Sequence, residues 1–347
     1  MRRTLQISLL MAGALAPAIG VLGASGATSN TGLGIRLGEV PANLASDPRA
    51  QEYIIDHVAP GTTIKRRIVV TDDTDQSLQV ALYTGPARIQ NGLFDPLAPG
   101  ATSDLTRWSS VAPNQLNLQA RQEAPAEVTI AVPSNAADGE RYGVVWASLP
   151  PSAPPGGGVA VVNRVGVRIY LSVGNGPAPL VDFKIDSLQA RRLPNGQPEV
   201  WAQVHNTGGR ALDMTGSLIL QNGPGGTTAG PFPAKLGTTL GIGQTEPVTV
   251  LLDPKLPAGP WDAVITLQSD EVSHKAEARI VFPTAPNSVA RPVTAKSLDK
   301  QRAILLPLAL GLLLLVILGG LFWFFFIWRR RKDEDEEQRQ ARMAARR

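Results

Sequence analysis

The chain has 347 residues, with 33 basic and 29 acidic side chains, a net charge of +4 and no cysteine. Without cysteine there are no disulfides, lipidated cysteine anchor, thiolate metal sites or cysteine nucleophile. The charge does not point to nucleic acid. Residues 329–347 carry eight basic side chains and Arg2-Arg3 two more, so the remainder is close to neutral, whereas a nucleic-acid binder clusters basic charge on its folded domain.

Met1-Arg2-Arg3 followed by a largely apolar stretch over 5–22 and the small residues Ala24-Ser25-Gly26-Ala27 predicts a secretory signal peptide over 1–27. From there the hydrophobic period is two. Ile64, Ile68 and Val70, then Leu78-Val80-Leu82, Val128-Ile130-Val132 and the five-member alternation Val165, Val167, Ile169, Leu171, Val173 read as strands. They form a first sandwich over 28–176. Asp72, Asp73 and Asp75 have the chemistry of a calcium site, but a solvated hairpin turn is the simpler reading. Residues 85–114 read as a long irregular stretch, and 150–158 as a Pro/Gly loop between two strands.

The Gly- and Pro-rich run 174–179 marks a boundary, and a second sandwich is expected over 177–283. Its strands are Val181-Phe183-Ile185, Val200-Ala202-Val204, Val248-Val250-Leu252 and Trp261-Ala263-Ile265-Leu267, separated by Gly/Asn/Pro clusters. Residues 284–302 read as an extended stalk. The uncharged run 303–328 gives roughly 39 Å of helix, ample for a hydrocarbon core of about 30 Å. Arg329-Arg330-Arg331-Lys332 behind it predicts a cytoplasmic basic tail over 329–347.

Few residues suggest chemistry. His57, His205 and His274 are scattered and none has ligand spacing with another; no nucleophile elbow or phosphate loop is present. No catalytic, cofactor or metal site is therefore expected. Aromatic side chains are the usual anchors of a binding surface, and Trp201 and Trp108 are the two candidates. Trp201 lies between Val200 and Ala202 and faces opposite the Val200/Val204 side. Trp146, alternating with Tyr142 and Val144, reads as part of a core set, and Trp261 as packing at a corner.

Several segments carry a family resemblance: Ala59-Pro60-Gly61, the strand over 64–70, the polar turn 72–76, the strand over 78–83, Trp108, and Asp138-Gly139-Glu140-Arg141-Tyr142-Gly143. Together with 200–204 and His205-Asn206-Thr207-Gly208, they resemble the WxL-interacting cell-surface proteins. That resemblance implies a first immunoglobulin-like domain associated with peptidoglycan and a second that binds a protein partner.

The sequence thus predicts an all-β ectodomain of two immunoglobulin-like β-sandwiches in tandem, followed by one transmembrane α-helix. The chain is expected at the cell membrane as a single-pass protein, ectodomain outside and short tail inside. Its expected role is non-catalytic attachment to a cell-wall polymer or another surface protein, without cofactor or nucleic acid. The alternative is a chaperone-like assembly factor for a secreted surface protein, acting by β-strand pairing.

Overall fold

The computed structural model describes residues 32–152 and 160–299. The expected signal peptide, membrane span and tail lie outside the described residues, as does most of the Pro/Gly loop. The first half comprises β1 (Leu33–Leu37), β2 (Ile54–Val58), β3 (Thr63–Asp72), β4 (Leu78–Gln90), β5 (Leu93–Pro96), α1 (Asp104–Trp108), β6 (Ser109–Ala112), β7 (Gln115–Leu118), β8 (Glu123–Ala131), β9 (Gly139–Ser148) and β10 (Arg164–Val173). One sheet runs β1-β3-β8-β6. The other runs β2-β10-β9-β4, with β5 and β7 both on β4. All neighbours are antiparallel except β2, which lies parallel to β10.

The period of two explains the layering, because alternate residues of a strand face opposite sides of the sheet. Ile68, Val70, Val128 and Ile130 from one sheet meet Val145, Ala147, Val167, Ile169 and Leu171 from the other in a fully buried core. Each such branched side chain contributes about 1.5–3 kcal/mol by leaving water.

The second half follows the same logic. It contains β11 (Phe183–Arg192), β12 (Pro198–Asn206), β13 (Leu212–Asp213), β14 (Thr215–Gln221), β15 (Ala229–Pro233), β16 (Thr239–Leu240), β17 (Thr245–Leu251), β18 (Gly259–Ser269) and β19 (Val272–Phe282). Three short strands complete it: β20 (Ser288–Val289), β21 (Val293–Thr294) and β22 (Lys296–Ser297). One sheet runs β17-β12-β11, the other β15-β14-β18-β19, and β13 pairs with β16 beside them. Trp261 is 1% exposed at the centre of the core, its indole N–H donating to the Pro257 carbonyl at 3.3 Å.

The described part is all-β, of the immunoglobulin-like sandwich type, and it corrects the expected fold class in one respect. Among the described residues no helix is long and apolar enough to cross a membrane. The run 303–328 lies outside them.

Three local expectations are also revised. Within 85–114, β4 continues to Gln90 and turns back into β5 through Asn91 (φ 53°) and Gly92 (φ 71°), the backbone of a tight two-residue hairpin turn. The first part of the expected stalk belongs to the second sandwich: β20 and β21 pair with β11, and β22 pairs with β19. Finally, Tyr142, Val144 and Trp146 do not enter the sandwich core. They line the opposite face of β9, in a separate cluster with Ile55, Phe94, Tyr170 and Ala211.

Candidate functional site

That second cluster lies where the two sandwiches meet. On β10 the residues opposite the core set include Arg168 and Tyr170, and Tyr170 is nonetheless only 2% exposed. Tyr53, Phe94 and Tyr142 surround its ring at centroid distances of 5.8, 5.3 and 5.9 Å. Arg49 lies over it, with its guanidinium carbon 4.5 Å from the ring centre. The short 3-10 turn Pro48–Gln51 sets Arg49 in place, because the Asp47 carboxylate caps that turn by accepting the Arg49 N–H at 2.9 Å.

Asp213, Asp270 and the Ala211 backbone of the second half are engaged by side chains of the first. Arg49 Nη1 donates to Asp270 Oδ1 and to the Ala211 carbonyl, both at 2.9 Å, and Nε lies 2.9 Å from Asp213 Oδ2. Asp213 Oδ1 accepts from the Tyr170 hydroxyl and Arg168 Nη1 at 3.1 Å, and from Thr239 Oγ1 at 2.6 Å. Glu140 Oε2 accepts from the Tyr142 hydroxyl at 2.7 Å and the Ala211 N–H at 2.8 Å. Burial works against the charge on Arg49, but Asp213 and Asp270 outweigh it and raise its pKa. Burial raises the Glu140 carboxyl, against the hydrogen bonds it accepts.

The β4–β5 hairpin adds backbone contacts to this joint. The Gly92 carbonyl accepts from the Thr239 N–H at 2.9 Å, and the Ile89 carbonyl accepts from Gln244 Nε2 at 3.3 Å. Paired guanidinium and carboxylate groups held this deep fix orientation: rotating one sandwich on the other strands charges away from water.

A second feature lies on the same strand. Antiparallel β9 pairs with β10 over its whole length, Arg164 to Val173, whereas β2 covers only Ile169 to Val173 on the other side. Among the described residues no strand pairs with 164–168 on that side; β1 of the facing sheet comes close without forming a ladder. Just upstream, Val161 and Val162 are 54% and 48% exposed.

The residues expected from sequence to carry binding are not brought together. Trp201 stands on the outer face of the second sandwich, half-buried under the Arg191 guanidinium at 4.0 Å, opposite Val200, Ala202 and Val204. Trp108 closes α1 in the first sandwich and packs against its core, with Arg141 5.7 Å from the ring centre. In the polar turn, Asp72 faces inward and accepts from the Thr74 N–H and hydroxyl at 2.8 and 2.7 Å, while Asp75 pairs with Arg121. His274 does have partners: Nε2 lies 2.7 Å from Asp182 and Nδ1 2.9 Å from Asp299.

Sequence reasoning missed the joint. The trace the joint leaves in the sequence, Arg168 and Tyr170 in the polar register of the clearest strand, reads equally as a solvated face.

No family model matches the chain, and no curated protein matches it. Solved structures similar in part include the Escherichia coli chaperone DraB (11% identity, 76% of this chain and 96% of that one, TM-score 0.34). Another is Salmonella enterica SafA pilin in complex with the SafB chaperone (12%, 70% and 95%, TM-score 0.35). The Pseudomonas aeruginosa CupB2 chaperone is a third (10%, 67% and 97%, TM-score 0.34). At such TM-scores, function has to be argued from the chain's own residues.

Proposed function

We propose that this chain is an exported, non-catalytic assembly protein that pairs with a strand of a secreted surface protein along the open half of β10. The observation that carries this reading is the uncovered backbone at 164–168 in a strand otherwise central to its sheet. Backbone N–H and C=O groups without a ladder partner are a template for an added strand. The exposed Val161 and Val162 extend the surface such a strand would meet. The polar joint supports the reading by holding the second sandwich in one orientation beside β10. The resemblance to the WxL-interacting proteins, which implies a surface-protein partner, runs in the same direction.

The chain has no cysteine of its own, so single substitutions can be labelled cleanly. Val165→Cys carrying a photocrosslinker is expected to give a defined adduct with an exported protein on intact cells. Thr249→Cys, on the outer face of the second sandwich, is expected to give none. Equal labelling from both positions, or no adduct from Val165→Cys while the purified chain sediments with isolated cell walls, would replace strand pairing with polymer attachment.

A further inference from the structure

We propose that a groove on the outer face of the first sandwich, at the margin of the joint cluster and beside the first residue of the open edge, binds a small carboxylate-bearing ligand between Arg164 and Arg107. The groove encloses about 310 Å³ between β4, β9, α1 and the loop 97–102. That lies at the small end of the range for small-molecule sites, about 300–1,000 Å³.

Its floor is Trp146, and the neighbouring strands are shaped around that ring. A Cβ on Gly166, directly opposite on β10, would sit 2.8 Å from Trp146 Cε3. One on Gly85 of β4 would sit 2.7 Å from Nε1. Glycine on both sides lets the indole lie across three strands where any side chain would lift it.

The Arg164 guanidinium stacks on this ring, its carbon 4.2 Å from the centre. Stacking holds the guanidinium plane and leaves its donors free, the geometry that recognises a carboxylate through two parallel hydrogen bonds. Among the described residues no salt bridge engages Arg164. Across the groove stands Arg107, whose only acidic partner there, Asp104, is shared with Arg141 at 3.5 Å. Among the described residues the groove's lining has two guanidinium groups, Arg107 and Arg164, and no carboxylate, so the local field is positive. Pro86, Leu97 and Ala98 give the wall an apolar part, beside Thr84, Thr102 and Thr106. An apolar wall beside an under-compensated arginine fork suits an organic anion with a compact body better than a bare inorganic ion.

Calorimetric titration of the purified full-length chain with sodium glucuronate, glucose and inorganic phosphate tests this. Glucuronate is expected to bind and glucose not to. Arg164→Gln and Arg107→Gln are each expected to weaken binding by roughly tenfold or more, as for a lost charged hydrogen bond, while keeping the parent's unfolding temperature. The proposal is overturned if glucuronate gives no heat, glucose binds equally, phosphate binds more tightly, or both variants bind glucuronate like the parent. Failure here leaves strand pairing untouched, since that reading rests on the backbone of 164–168 and not on the Arg164 and Arg107 side chains.

Discussion

His274 shows how a single residue acquires a role from position alone. It lies between Asp182, on the segment joining the sandwiches, and Asp299, at the end of the described chain, with its ring edge-on to Phe183 at 4.7 Å. Burial alone would lower its pKa, but the hydrogen bonds and charges of the two carboxylates outweigh that and raise it. For Asp182 burial works upward, yet the hydrogen bonds from His274 and the Phe183 N–H bring it below the ordinary carboxylate range. A raised histidine contributes stability that is full below its unfolded pKa of about 6.5 and is lost as pH climbs through the folded value. A lowered aspartate contributes above its unfolded pKa of about 3.9 and is lost as pH falls through its folded value. The cluster therefore stabilises most between those two unfolded values. Melting curves are expected to show a lower Tm at pH 8 than at pH 6, and the difference should shrink in His274→Gln. An equal pH response in that variant would remove the cluster from the account.

At the scale of elements, the stretch 284–297 changes the architecture most. Pro286 and small polar residues look like a linker, yet β20 and β21 cover the outer edge of β11, and β22 covers that of β19. The Gln189 side chain further ties this strap by donating to the Ala290 carbonyl at 2.9 Å. Bare edges with unpaired N–H and C=O groups invite association between copies. A chain truncated after Pro283 is expected to melt earlier and to self-associate, which light scattering against the intact chain would reveal. The strap escaped notice because two-residue strands carry no periodicity; pairing two residues at a time depends on where β11 and β19 already lie. The β4–β5 hairpin differs, since Asn91-Gly92 is a readable turn signal. What the sequence left unstated was its contact with Thr239, about 150 residues further along.

At the scale of the whole molecule, the buried joint sets how the sandwiches are held. Arg49→Met leaves Asp270 buried without its guanidinium and Asp213 with that of Arg168 alone, and losing one partner of such a network costs about 3–5 kcal/mol. Denaturation is expected to change from one transition to two, with small-angle scattering showing a broader range of shapes; a single transition at the parent's midpoint would mean that the aromatic cluster alone couples the halves. The sequence by itself determined the long alternating strands and, for β10, which face turns inward. Val165 to Val173 alternates, and Val167, Ile169, Leu171 and Val173 are buried as that pattern requires, because side-chain direction along a strand is a local property of the pleat. It also determined that Trp201 opposes Val200 and Val204. Only the tertiary structure decided what the other faces meet. Tyr142, Val144, Trp146 and Tyr170 obey the same alternation, and nothing local distinguishes a face turned to solvent from one turned to a second sandwich. Arg49, Asp213 and Asp270 lie far apart in the chain, and their attraction has no sequence signature until packing removes the water between them.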